Sequence, residues 1–459
     1  MSQSSTRQLF ARHALLPEGW RNDVLLEWDA GGSLVAVSAG STAPLACTVV
    51  QYALPGMVNL HSHSFQRALG GRTEYAGTGR DSFWTWRELM YRFARHITPE
   101  QVEAIAAQLF ADCLRHGYTS LCEFHYVQRA PDGALYARPA EMAERVIGAA
   151  RLTGMGLTML PVLYSYSGFG ESALKPEQQR FATSEQDVLR IIEALEPLRD
   201  AQIEVGVAPH SLRAATVGQI NEVMAALPAA RPLHIHIAEQ RAEVQQSLDW
   251  SGRRPVQWLF DHVAVDQRWC LVHATHLTPD EVQCIAASGA VAGLCPTTEA
   301  NLGDGLFPFE DFLAAGGRFG IGSDSHASYS AVEELRWLEY GQRLQHQRRN
   351  IAVSASERLV GDFLWQGALR GGAQAAGRPV GALAPGRRAD LIVLDDDHPN
   401  LAALALDEVV GSLVFSGNDN LVRDVMVGGR WVVRNGQHVA QQAIAARFKQ
   451  TMATLREFR

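Results

Sequence analysis

Residues 58–66 read VNLHSHSFQ, with two histidines one residue apart directly behind an apolar run. In an extended strand, residues two apart share a face, so His61 and His63 project together from one strand end. Imidazole is the commonest protein ligand for a divalent metal, but in a chain of 16 histidines a single His-x-His pair reads equally well as polar loop. Other segments tilt the balance. LHIHIAEQ supplies His234, His236 and Glu239, LVHATHL supplies His273 and His276, and GIGSDSH supplies Asp324 and His326. Three imidazoles and a carboxylate suit a zinc-type ion with one coordination position left for water. His234 and His236 share a strand face, so spacing alone leaves either as a ligand.

Those residues must be carried by elements that bring them to one place. From PGMVNLHSH onward, apolar runs alternate with longer amphipathic stretches such as PEQVEAIAAQLFADCLRHG, the pattern of βα units on a parallel sheet. The candidate strands are GMVNLH, GYTSLCEFH, GLTMLPVLY, EVGVAPH, LHIHIAE, WCLVHAT, AVAGLCP and FGIGSD. That number of strands suits a closed (β/α)8 barrel, whose chemistry sits at the C-terminal strand ends. Short alternating strands about residues 20–54 and again after about 385 predict a small β-sandwich domain assembled from both chain termini. The expected division is 1–54 and 381–459 for that domain, with a terminal helix, and 55–380 for the barrel.

A net charge of −8 argues against a broad nucleic-acid footprint, which needs a basic face. The opening residues hold no apolar signal core, and no apolar run reaches the roughly 20 residues of a membrane span. A soluble cytoplasmic enzyme with a small-molecule substrate is the expectation. The six cysteines are scattered without a Cys-x-x-Cys pair and read as reduced thiols. Of 41 basic residues only Lys175 and Lys449 are lysines.

The stretches PGMVNLHSH, GIGSDSHAS and GALAPGRRADLIVLD together resemble the amidohydrolase superfamily, and the resemblance spans nearly the whole chain. It implies a metal-dependent barrel with His61, His63, His236 and Asp324 as ligands and His273 beside the metal. Glu239, three residues after His236, matches the His-x-x-Glu pattern of deaminase members and favours His236 over His234. Binuclear members bridge two metals through a carboxylated lysine on a mid-barrel strand. Here no lysine lies on such a strand, so one divalent ion is expected, zinc by resemblance.

An activated water attacking a carbon that bears nitrogen needs a group to pass protons to the departing nitrogen. Glu239 is placed for that shuttle, Asp324 can take the water proton, and His273 can hydrogen-bond the attacking oxygen. Beyond the metal motif, HSHSFQRALGG, DSFWTWRELMYRF, CEFHYV and APHSLR resemble the formimidoylglutamate deiminase group of the superfamily. That resemblance implies N-formimidoyl-L-glutamate as substrate, contacts at Gln66, Arg87, Tyr126, His210 and Arg213, and a homodimer. Planar arginine forks are the side chains best suited to hold the two carboxylates of such a substrate. Trp84 and Trp86 are expected to pack beside Arg87. The rival readings are a purine, pyrimidine or S-adenosylhomocysteine-type deaminase, whose pocket would favour stacking over arginine clamps, and a non-catalytic scaffold, in which the ligand set would be eroded.

Overall fold

The computed structural model describes residues 7–74 and 83–456, with the Phe83 side chain excepted. The chain opens with β1 (Arg7–Leu16), β2 (Gly19–Trp28), β3 (Leu34–Ser38) and β4 (Thr48–Pro55). The barrel strands follow as β5 (Met57–Ser62), β6 (Tyr118–His125), β7 (Gly156–Leu163), β8 (Ile203–Val205), β9 (Ala208–Pro209), β10 (Leu233–Ile237), β11 (Trp269–His273), β12 (Val291–Leu294) and β13 (Arg318–Ile321). Last come β14 (Leu391–Leu394), β15 (Val422–Val427), β16 (Arg430–Arg434) and β17 (Gln437–His438).

β1 to β4 and β14 to β17 form one continuous sheet in the order β17-β16-β15-β14-β4-β1-β2-β3. The sheet curls on itself. A Cβ added to Gly32, in the β2–β3 turn, would lie 2.3 Å from the Gly428 carbonyl oxygen in the β15–β16 turn, so only glycine permits that approach. Leu26, Leu34, Val50, Leu391 and Met426 pack together inside the curl. The terminal helix Gln441–Leu455 docks instead on a barrel helix, Pro99–Arg115, through Arg447–Glu103 at 2.8 Å and Gln101–Thr454 at 3.1 Å.

The barrel consists of two parallel half-sheets, β5-β6-β7-β8 with β9 on β7, and β10-β11-β12-β13. Isolated parallel bridges, Val207↔Leu233 and Ser62↔Asp324, join them and close the ring. Both seams run through histidine-bearing strand ends. Asp324 N–H donates to the His61 carbonyl at 3.0 Å and His63 N–H to the Asp324 carbonyl at 3.2 Å, while His236 N–H donates to the His210 carbonyl at 3.1 Å. The expected strand EVGVAPH is broken into β8 and β9 around Gly206, where an added Cβ would stand 2.5 Å from the Pro232 carbonyl oxygen.

Outer helices start where local chemistry fixes them. Pro99–Arg115 begins with Thr98 as N-cap, its side chain accepting from Gln101 N–H while Gln101 reaches back to Thr98 N–H. The same reciprocal box opens helices at Ser184, Thr216 and Thr278, each cap worth about 1 kcal/mol. Among the described residues no helix is long and apolar enough to cross a membrane. Leu60, Cys270, Val272 and Val291 come from strands that are not all neighbours, yet pack in one cluster. Such residues meet only inside the ring, so the barrel interior is a packed core beneath the strand ends.

Candidate active site

His61, His63, His236 and Asp324 converge where the half-sheets meet. The Nε2 atoms of His61 and His236 stand 3.0 Å apart, and Asp324 Oδ1 lies 3.5 Å from His61 Nε2 and 3.4 Å from His63 Nε2. All of these side chains are buried. His63 Nδ1 donates to the Phe124 carbonyl at 2.8 Å and His236 Nδ1 to the His210 carbonyl at 3.0 Å. In the neutral ring this leaves a lone pair on each Nε2, directed at the other donors. Burial lowers His61 to about 3 and lowers His63 and His236 as well. Burial works the other way on Asp324, but its hydrogen bond to His61 and the neighbouring imidazoles hold its carboxyl well below the usual carboxylate range.

The residues fit a divalent ion. A tetrahedral site with bonds of ~2.05 Å has donor-to-donor edges of ~3.3 Å, and the separations here run from 3.0 to 3.5 Å. His234 does not join them. Its Nε2 meets the Ala375 carbonyl at 2.9 Å, at the end of helix Val360–Ala376, one strand pleat deeper. His276 and His326 also stay outside the cluster. His276 Nε2 bonds the Asp304 carbonyl at 2.9 Å, and His326 bridges Ser323 Oγ and Ser62 Oγ at 3.0 and 3.3 Å.

Beside these residues lie Glu239 and His273. His273 Nε2 is 3.8 Å from Glu239 Oε1 and 3.7 Å from Asp324 Oδ2, and its Nδ1 meets Glu299 Oε1 at 3.3 Å. Burial pushes Glu239 up to about 7 against the pull of His273 and Arg213. For His273 burial is outweighed by Glu239, Glu299 and Asp324, which hold it at about 10. Ala238, His273 and Asp324 have φ of 51°, 66° and 44°. Left-handed backbone is strained for residues with a Cβ and persists where surrounding bonds over-determine it. Glu243 supplies such bonds, accepting Ala238 N–H at 3.3 Å and Glu239 N–H at 3.1 Å.

A cavity opens over this floor, lined by residues that include Gln66, Arg87, Tyr126, His210, Arg213, Glu239 and His273. Gln66 Nε2 donates to Tyr126 Oη at 2.6 Å while its Oε1 has no partner. The His210 ring packs 4.7 Å from Tyr164 and 4.9 Å from His236. Arg213 is buried, with Nε unpartnered. Burial opposes its charge, and Glu243 and Glu239 hold it above the usual arginine range. Trp84 lies between the two guanidinium groups, 4.5 Å from Arg87 Cζ and 5.9 Å from Arg213 Cζ. Thus Gln66, Arg87, Tyr126, His210, Arg213, Glu239 and His273 line one cavity with His63, His236 and Asp324, while His234, His276 and His326 lie outside it.

Several neighbours were not among them. Tyr164, at the end of β7, shares a hydrogen-bonded cluster with Tyr91 and Gln178, at 3.4 and 2.8 Å. Its position at a barrel strand end was the available signal. Glu299 and Asp304 follow β12 in CPTTEANLGDG, and Glu243 lies one helical turn past Glu239. As ordinary acids in loops and helix starts they carry no spacing signal.

Comparison with known proteins places this geometry in context. The amidohydrolase family model matches residues 52–432, and a model of the N-terminal domain of the formimidoylglutamate deiminase HutF matches residues 6–45. The chain is 53% identical to formimidoylglutamate deiminase of Pseudomonas aeruginosa, over 97% of this chain and 99% of that one. It is 26% identical to a 5-methylthioadenosine/S-adenosylhomocysteine deaminase of Natronomonas pharaonis, over 94% and 93% of the two chains. The crystal structure of an amidohydrolase from Brucella melitensis superposes with a TM-score of 0.93 at 44% identity, covering 98% of this chain and 99% of that one. Strand-end histidines, composite β domain and family match agree: the chain belongs to the amidohydrolase family and is a hydrolase acting on C–N bonds.

Proposed function

We propose that the protein hydrolyses N-formimidoyl-L-glutamate to N-formyl-L-glutamate and ammonia. The observation that carries this reading is the lining of one cavity. Arg87 and Arg213, which share the Trp84 ring and suit a dicarboxylate, line the same cavity as Glu239, His273 and Asp324. The identity to the Pseudomonas deiminase over nearly the full length of both chains supports the same substrate. A nucleoside substrate, as the name of the Natronomonas relative suggests, is the second reading, and it has no pair of carboxylates for the two arginines to hold.

In this reading His61, His63, His236 and Asp324 hold one divalent ion, taken as zinc from the family resemblance. When bound, such an ion acidifies a water molecule and so supplies a nucleophile near neutral pH. The two arginines fix the carboxylates, while Gln66, Tyr126 and His210 orient the chain between them and the formimidoyl carbon. Water adds to that carbon, and Asp324 Oδ2 and Glu239 Oε1 receive its protons. Glu239, near 7, can accept a proton and pass it to the nitrogen, so that the C–N bond breaks and ammonia leaves. His273 Nε2 lies within reach of both carboxylates to hydrogen-bond the attacking oxygen. The same reading takes residues 1–54 and 381–459 as one small domain around a 55–380 barrel, and the enzyme as a cytoplasmic homodimer.

The test is ammonia release by metal-loaded protein from N-formimidoyl-L-glutamate, run beside guanine, cytosine and S-adenosylhomocysteine. Turnover of the first alone is expected. Turnover of a base or nucleoside, with none of the amidine, would overturn the substrate assignment and leave the metal chemistry standing.

A further inference from the structure

Asp304 belongs to the reaction centre although it stands outside the expected residues. It is buried, and its donor atom, that of Glu239 and that of His273 all lie within 4.8 Å of one another. Its backbone is pinned on both sides, by Asp304 N–H to the Glu299 carbonyl at 2.9 Å and by His276 Nε2 to the Asp304 carbonyl at 2.9 Å. Gln240 donates to Oδ1, whereas Oδ2 is shut off from the surface without a hydrogen-bond partner. A buried carboxylate oxygen left unmatched costs free energy, and native structures keep such groups mainly where a ligand or function completes them. Leu302, in the same turn, lines the cavity, so Asp304 stands directly behind the wall at the reacting end.

A formimidoyl group is an amidine, a strong base that is protonated near neutral pH, while the product carries a neutral formamide. Substrate and product therefore share both carboxylates and differ at the end near Glu239 by one positive charge. We infer that Asp304 is a specificity-determining residue that supplies the counter-charge for the cationic amidinium of the substrate and so discriminates it from the neutral amide. This rests on the amidine-hydrolysis reading above. Burial first, and then Glu239, push the Asp304 carboxyl up to about 9 against the pull of His273, so it is held protonated in the free site and ionises when a cation docks against it. At low effective dielectric a cation placed within a few ångströms of an unpaired carboxylate is strongly favoured. A neutral amide gains nothing comparable.

The experiment compares wild type with Asp304→Asn, which keeps the shape and an acceptor for Gln240 but removes the charge. Three quantities are read: KM and kcat for N-formimidoyl-L-glutamate, Ki for N-formyl-L-glutamate, and the ratio of inhibition by acetamidinium to that by acetamide. Asp304→Asn is expected to raise KM for the amidine at least about tenfold and to abolish the acetamidinium preference, with Ki for N-formyl-L-glutamate unchanged within about twofold. Parallel weakening of substrate and product would instead make Asp304 a scaffold residue and overturn the inference, as would no change in either. Should the Asn variant not fold, Asp304→Ser leaves a hydroxyl for Gln240 and reads the same quantities. Failure of the wild type to turn over the amidine at all would fall on the substrate assignment, while the acetamidinium ratio would still report on Asp304.

Discussion

Arg213→Met is the substitution that bears most directly on how the cavity chooses its substrate. The guanidinium is 6% exposed, so solvent screens it weakly, and its Nε lacks a protein partner. A carboxylate docked there would gain charge-assisted hydrogen bonds worth about 1.5–3 kcal/mol each. Glu243 and Glu239 already share its charge and reduce that gain. A net loss of ~3–4 kcal/mol is therefore expected, which at ~1.4 kcal/mol per tenfold is a fall in kcat/KM of roughly 10²- to 10³-fold, carried mainly by KM. The fold should survive. Glu243, a carboxylate that supports the Arg213 charge, keeps its bonds from Ala238 and Glu239 N–H, and methionine fills an irregular gap readily.

The assay is steady-state ammonia release with metal content measured on the same samples. Two truncated substrates sharpen it: N-formimidoyl-4-aminobutyrate, which lacks the α-carboxylate, and N-formimidoyl-2-aminobutyrate, which lacks the side-chain carboxylate. The penalty of Arg213→Met should shrink to about threefold or less with one of them, which names the carboxylate that Arg213 holds. A fall below about fivefold with the full substrate at unchanged metal content would refute the reasoning, and so would an equal penalty with all three substrates.

Three further outcomes follow from the geometry. His236→Ala should lower metal affinity by at least about 10–100-fold, whereas His234→Ala should keep the metal and cost about 1–3 kcal/mol of stability, because the Ala375 carbonyl loses its partner; metal analysis beside thermal melts separates the two. Gly322→Ala places a Cβ 2.8 Å from His61 Cβ at the barrel seam, so overpacking of about 1–3 kcal/mol and weaker metal retention are expected, read by melting and by competition with a chelator. Asp362 is pushed up to about 7 by burial and then by Glu357 and Asp407, and its Oδ1 has no partner. The unfolded chain releases this proton first as pH rises, so stability falls between about pH 4 and 7 and the penalty is complete above that. Asp362→Asn should accordingly stabilise the protein at pH 8, by about 1–2 kcal/mol after solvent screening, and leave it unchanged near pH 4.

The cluster of imidazoles and Asp324 was legible because its residues obey strand periodicity at the ends of apolar runs, and a barrel brings such ends to one face. The spacing of two and the preceding VNL left His61 and His63 evenly balanced, and the other strand-end histidines and Asp324 tilted the reading. The choice between His234 and His236 was not open to periodicity, since both lie on one face of β10. What separates them is depth: His234 meets the end of helix Val360–Ala376, and His236 the cavity floor. The break between β8 and β9 was equally hidden, because it falls inside the run VGVAP, at Gly206 where the chain packs closely against Pro232. Glu299, Asp304 and Glu243 were invisible for the same reason. Their meaning comes from burial beside His273 and Glu239, and an acid in a loop has no pattern that announces it.

Those acids bear on how the cavity can act on a charged substrate. An ion held by three neutral imidazoles and Asp324 would by itself make the reacting end positive and repel an amidinium. Glu239, Glu299 and Asp304 are grouped with His273 there, so carboxyls that a docking cation would ionise stand at the reacting end. Arg87 and Arg213 line the same cavity and suit carboxylates. The chain thus holds groups of both signs in a small volume, at the expense of elevated carboxyl pKa values and left-handed backbone at three strand ends. Strain and unmatched charge of this kind are tolerated when a rigid surround over-determines them. Here that surround is the closed ring: the bonds that zip β13 to β5 are the backbone bonds of His61, His63 and Asp324 themselves. Loosening the seam and losing the ion should therefore be one event, which is why Gly322→Ala is expected to lower melting temperature and metal retention together.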